Sequence, residues 1–156
     1  MLKRYSHILL CFLLIILANY ALAIAQEIIK LSTTSVAGLP RMSVNVHIHG
    51  SKETAVYEGI SLGDLIRKFG APAGEAIHGA NLCLAVIVKA ADGYQVVFAL
   101  PELDPSFNNK VVLLADRRNG EPLSGKEGPF RLIVPDEARQ ARWVRQVTTI
   151  ELREIK

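Results

Sequence analysis

The stretch Gly128-Pro129-Phe130-Arg131-Leu132-Ile133-Val134-Pro135 places one arginine inside a short apolar run closed by proline. Shortly after it, Arg142-Trp143-Val144-Arg145 sets a second arginine directly before the only tryptophan. Phe130 to Val134 reads as a strand, because it is aromatic and branched, and Pro135 ends it. An arginine on such a strand must keep its guanidinium wet or paired, since a buried unpaired charge costs too much. Two arginines this near each other suit convergence on one anion.

Outward from that stretch, the chain reads as short strands with few helices. Ile28 to Leu31 reads as a first strand and Ser32 to Leu39 as one helical turn stopped by Pro40. Ser43 to Ile48 alternates, with Val44, Val46 and Ile48 on one face and Asn45 and His47 on the other, as in a half-buried strand. Gly50-Ser51-Lys52 turns it into a hairpin with Thr54 to Glu58. The clearest helix runs from Leu62 to Phe69. Ser61 caps it, Asp64 completes a capping-box-like pair, and Leu62, Leu65, Ile66 and Phe69 form one apolar stripe. Gly70 and Pro72 stop it.

Gly74 to Asn81 is loop-like. Leu82 to Lys89 is a central strand by its apolar, branched composition, and Asp92-Gly93 turns it into a hairpin with Tyr94 to Leu100. Pro101 to Asn109 is a loop, and Val111 to Ala115 a further strand before the Asn119-Gly120 turn. Arg142 to Gln146 reads as a short helix and Thr148 to Arg153 as the last strand. The class is α+β: a mostly β fold, antiparallel or mixed, with one or two packed helices.

Residues 1–25 read as a cleavable export signal. Lys3 and Arg4 form a positive start, Ile8 to Leu17 an apolar run, and Ala21-Leu22-Ala23 or Ala23-Ile24-Ala25 the small-residue close. The run is shorter than the roughly 20 residues of a spanning helix. Cleavage after Ala25 removes 25 of 156 residues and leaves 131, one domain over residues 26–156, periplasmic or secreted and off the membrane; the rival reading is a segment retained as an uncleaved membrane anchor. Removing Lys3 and Arg4 leaves 16 basic residues against 15 acidic ones, a balance that points away from nucleic acid. Cys11 lies in the signal, so Cys83 stands alone and no internal disulfide forms. On an apolar strand Cys83 is expected to be buried.

The chain resembles the molybdopterin-binding oxidoreductase domain of the sulfite oxidase family. Tyr57-Glu58-Gly59-Ile60-Ser61-Leu62-Gly63-Asp64-Leu65-Ile66 is similar to its aromatic-x-Gly-x-x-Leu-x-Asp-Leu-Leu segment. Lys89 to Tyr94 is similar to its hairpin, and Leu113-Leu114-Ala115 with Asn119 to Leu123 follows in the same order. Gly128 to Pro135 resembles its Gly-x-Pro-x-Arg-Leu-x-x-Pro, and Arg142-Trp143-Val144 its Lys-Trp-Leu. The resemblance spans Leu39 to Leu152. It implies a mixed fold built largely from β-structure, a molybdopterin cofactor, and Arg131 and Arg142 at positions facing it. His47 falls near the position of the family's molybdenum-ligating cysteine.

The departures bear on activity. Met42 to Ala55 holds no cysteine, and Glu127-Gly128 stands where larger members have His-Gly. Asp136 to Ala141 replaces a glycine-rich, lysine-containing loop. Without a thiolate, molybdenum loses its protein ligand and the main control of its potential. His47 and His49 share one strand face, a spacing that can chelate; no third ligand is evident from sequence, with His78 and Glu58 as the residues that could approach, and no metal site is assigned. The plain structural alternatives are that Arg131 snorkels from an edge, that Arg142 pairs with Asp136 or Glu137, that Trp143 is core, and that Arg117 and Arg118 are a solvated pair. Two readings stand: an exported molybdopterin-binding, oxidoreductase-type domain whose catalysis is open, with an unknown redox partner, and a non-catalytic binding or protein-interaction module on the same fold. Neither substrate nor catalytic residue is legible.

Overall fold

A computed structural model of the chain describes residues 26–48, 50 and 53–155. The export signal expected over residues 1–25, and His49 of the histidine pair, lie outside the described residues.

Two antiparallel sheets carry the fold. The first has the order β1-β9-β4-β5, formed by β1 (Gln26–Lys30), β9 (Val147–Glu154), β4 (Leu84–Ala90) and β5 (Gln95–Ala99). The second runs β2 (Arg41–His47), β3 (Thr54–Ser61), β6 (Leu113–Arg118) and β7 (Glu121–Pro122). The short β8 (Arg131–Ile133) also pairs with β6. Every described pairing is antiparallel, so the open choice between antiparallel and mixed resolves to the former.

Local sequence explains most of these elements. β4 is buried along nearly its whole length, as its run of branched residues requires. Asp92 and Gly93 turn it into β5: Gly93 has φ 87°, and an Asp92 carboxylate oxygen accepts from the Tyr94 N–H at 2.9 Å. Asn119 and Gly120 have φ 52° and 83°, the geometry of a two-residue hairpin turn between β6 and β7. A one-residue bulge on β6 lets Glu58 oppose Arg117 while Gly59 opposes Ala115, leaving Asp116 unpaired in the ladder. Arg41 clamps the Asp116 carboxylate with both terminal nitrogens, at 2.6 and 3.0 Å.

The helices are few. α1 (Thr33–Val36) is a single turn capped by Ser32. α2 (Leu62–Lys68) starts at Ser61, whose hydroxyl accepts from the Asp64 N–H at 3.3 Å. Leu62, Leu65 and Ile66 are buried, as the apolar stripe demands. Residues 74 to 83 form two 3₁₀ turns, Gly74–Ala76 and Gly79–Cys83, where sequence suggested a plain loop. The helix expected over Arg142 to Gln146 is instead a 3₁₀ turn at Gln140–Arg142.

The core lies between the sheets. Tyr57, Leu65, Val86, Phe98, Leu113, Leu132 and Ile150 are almost fully buried within it. The segment after the 3₁₀ turn at Gln140 ties the sheets together: Leu132 N–H donates to the Val144 carbonyl at 2.8 Å, and Val147 N–H to the Phe130 carbonyl at 2.9 Å. Trp143 is therefore pinned beside β8 and is core, its indole N–H donating to the Val134 carbonyl at 2.9 Å. Among the described residues no helix is long and apolar enough to cross a membrane.

The expected burial of Cys83 also fails. Cys83 is exposed, because the 3₁₀ turn places it just before β4 begins.

Candidate functional site

The site grows from Tyr57. β3 carries it inward, and Arg118 is its cross-strand partner on β6, with the Arg118 guanidinium 5.7 Å from the ring centroid. Arg131 on β8 approaches the same ring at 5.4 Å and the Trp143 ring at 5.8 Å. Tyr57 and Trp143 meet edge to face at 6.2 Å. Arg131 is thus held among aromatic faces that favour a cation.

Arg131 is 8 % exposed, so its charge requires compensation. One terminal nitrogen donates to the Tyr57 hydroxyl at 3.0 Å and to the Glu127 carboxylate. The second Glu127 oxygen lies 3.8 Å from Arg118. Glu127 therefore bridges two arginines. Burial raises the Tyr57 hydroxyl pKa, against the lowering pull of Arg131, Arg118 and Arg145, so it stays protonated at neutral pH. The Nε of Arg131 is a buried side-chain polar atom with no hydrogen-bond partner. Arg131 does not snorkel from an edge, and Arg118 is not half of a solvated pair.

Arg142 stands elsewhere. Its guanidinium lies 4.1 Å from the Phe98 ring centroid. Its Nε donates to Glu137 at 2.6 Å, one terminal nitrogen donates to the Val97 carbonyl at 3.1 Å, and Glu102 lies at 3.4 Å. Burial lowers its pKa, but Glu137 and then Glu102 outweigh that and hold it raised. The pairing with Glu137 was legible in the sequence; Glu102, forty residues away, was not.

His47 is exposed at the end of β2, and its carbonyl accepts from the Gln140 side-chain amide at 3.0 Å. It lines a shallow pocket of about 360 Å³ with Pro135, Glu137, Gln140 and Trp143. Arg142 lines a separate pocket of about 140 Å³ with Phe98 and Glu102. Glu137 borders both, and Arg131 lines neither. The three candidate residues surround Trp143 and its loop without converging on one open cleft.

A larger cleft of about 450 Å³ opens on the other side of Gln140 and Trp143. Lys126, Arg145, Asp92 and Tyr94 border it. Lys126 lies in no recognisable motif, and Arg145 closes the Arg142-Trp143-Val144-Arg145 stretch without a role assigned from sequence. Their relation appears only when the 126 and 145 segments pack together.

The donor set does not fit a thiolate-held metal at this place. Among the described residues no three His, Cys, Asp or Glu side chains cluster as a metal site. Cys83 precedes Leu84, the first residue of β4, whereas Ala90 at the other end of that strand borders the 450 Å³ cleft. A strand of that length separates them by roughly 20 Å. Arg131 and Arg142, the two anion donors, each already hold a carboxylate of this chain.

Comparison with known proteins gives one family. The model described as the oxidoreductase molybdopterin binding domain matches residues 28–155. No curated protein matches the chain.

Proposed function

Because this chain belongs to the oxidoreductase molybdopterin binding domain family, we propose that it is an exported binding module that keeps the family's fold without a thiolate-held molybdenum centre. One observation carries the proposal: the arginines that should face an external anion are closed by internal carboxylates, Arg131 by Glu127 and Arg142 by Glu137. An arginine already paired and partly desolvated gains less from a new anion than a free one. The absent nearby thiolate acts in the same direction, since soft thiolate ligation stabilises such centres. The apolar leader ending in Ala23-Ile24-Ala25 supports export to the periplasm or medium, with Gln26 as the first residue of the mature form.

A second reading has its own support. The unpartnered Nε of Arg131 and the family membership favour a retained pterin cofactor held by Arg131, Arg142 and His47. When bound, such a cofactor would supply oxygen-atom or electron-transfer chemistry. This chain's part would be anion binding by the arginines and a polar contact from His47.

The experiment that separates the readings is metal and pterin analysis of full-length protein exported by a host that makes the cofactor. The module reading expects molybdenum near zero and no pterin fluorescence after oxidation. Stoichiometric molybdenum or pterin overturns it.

A further inference from the structure

The cleft bordered by Lys126 and Arg145 is built differently from the arginine sites around it. Arg131 and Arg118 share Glu127, and Arg142 holds Glu137 and Glu102. Lys126 and Arg145 have no ion-pair partner among the described residues, and both face the same cleft of about 450 Å³.

Backbone geometry ties together the segments that carry these two cations. Gln146 is a non-glycine residue at φ 48°, in the left-handed region that side chains disfavour. Its N–H donates to the Glu127 carbonyl at 2.8 Å, and its carbonyl accepts from the Ala91 N–H at 3.0 Å. Its side-chain amide donates to the Gly125 carbonyl at 2.8 Å. Residues 125 and 127 are thereby laced to 146, on both sides of Lys126 and directly beside Arg145. Such an outlier persists only where the surroundings over-determine it, and it marks places of function more often than chance.

The local charge is positive. Of the charged side chains bordering the cleft, Lys126 and Arg145 stand against Asp92 alone, whose carboxylate accepts from the Tyr94 N–H at 2.9 Å. A concave surface with one excess sign of charge concentrates ligands of the opposite sign. The cleft also offers aromatic surface. Tyr94 is half exposed, its hydroxyl donating to the Ala141 carbonyl at 2.8 Å, and Trp143 borders the same space. A lysine supplies a compact charge and an arginine a forked donor, a combination matched to phosphate oxygens.

We infer that this cleft is a binding site for a small aromatic phosphate, its phosphate between Lys126 and Arg145 and its ring against Tyr94 and Trp143. The inference rests on the module reading in one respect, that the cleft serves a soluble ligand and not a resident metal cofactor. It requires no covalent step.

Trp143 is the only tryptophan, so its emission reports on the cleft directly. The test titrates full-length protein with phenyl phosphate, with phenol and inorganic phosphate in parallel, followed by Trp143 fluorescence and calorimetry. Phenyl phosphate should bind, more tightly than inorganic phosphate, and phenol should not. Added salt should weaken binding. Lys126→Ala and Arg145→Ala should each weaken it about tenfold, which is a loss of about 1.4 kcal/mol. Both side chains are exposed, so neither variant should shift the melting temperature. No binding of phenyl phosphate, or unaltered binding by both variants, overturns the inference. Stoichiometric molybdenum in the exported protein would overturn the module reading and leave this titration to be judged on its own result.

Discussion

Arg131 shows how one residue constrains its surroundings. A guanidinium 8 % exposed cannot stay uncompensated, and the chain answers with the Tyr57 hydroxyl, the Glu127 carboxylate and two aromatic faces. Glu127→Ala leaves that cation without its counter-charge. It should destabilise the fold by about 3–5 kcal/mol, read as a shifted urea midpoint. Tyr57→Phe removes one acceptor and keeps the ring, so its cost should be about 1–3 kcal/mol. Equal costs for the two variants would show that Glu127 is not the principal partner. The need for compensation was legible at residue 131; the partner was not. Glu127 precedes Arg131 by four positions but outside any helix, so no periodicity links them. Cys83 failed for a related reason. Its apolar neighbours suggest burial, yet the 3₁₀ turn leaves it exposed. It should react completely with a thiol reagent in the native state; slow, unfolding-limited labelling would contradict this.

At the scale of elements, close approach and buried ion pairs decide what can change. A Cβ on Gly63 would overlap the Leu103 carbonyl oxygen, where α2 presses on the turn before Asp104. That atom belongs to the backbone and cannot swing aside. Gly63→Ala should cost about 1–3 kcal/mol, whereas Gly125→Ala, with open space around its Cβ, should be nearly neutral. Thermal melts of both variants check the contrast.

Buried carboxylates set the acid limb of stability. The hydrogen bond from Lys89, at 2.5 Å, is the main cause that lowers the Glu151 pKa, against the opposing effect of burial. Burial raises the Asp104 pKa, but the N–H groups of Gly74 and Ser106, the Ser106 hydroxyl and Arg67 together bring it below its ordinary value. Both groups bind protons less readily folded than unfolded. Their contribution is therefore complete above the ordinary values of 4.5 and 3.8, and is lost as pH falls through the lower folded values. Urea midpoints should decline below about pH 4.5, and Glu151→Gln should flatten that decline. A midpoint independent of pH between 5 and 3 would refute the assignment.

Helix α2 and the Asp92-Gly93 and Asn119-Gly120 hairpins were legible because capping, apolar stripes and turn residues are local signals. Pairing of β1 with β9, and of β8 with β6, was not, because it joins segments far apart in sequence.

Across the whole molecule, β8 and the segment leading into β9 join two antiparallel sheets and enclose the arginine cluster behind Trp143. The family and the mostly β class were readable from ordered motifs. The site's electrostatic closure was not, because it depends on carboxylates from other segments: Glu127 at Arg131, and Glu102 beside Glu137 at Arg142. Anion donors satisfied internally, and a described cysteine a strand's length away, are what the proposed module reading rests on. The most direct measurement is the molybdenum-to-protein ratio of the full-length chain made in a cofactor-producing host. The account predicts a ratio near zero, unchanged by the Cys83→Ser substitution. A ratio approaching one atom per chain would contradict it.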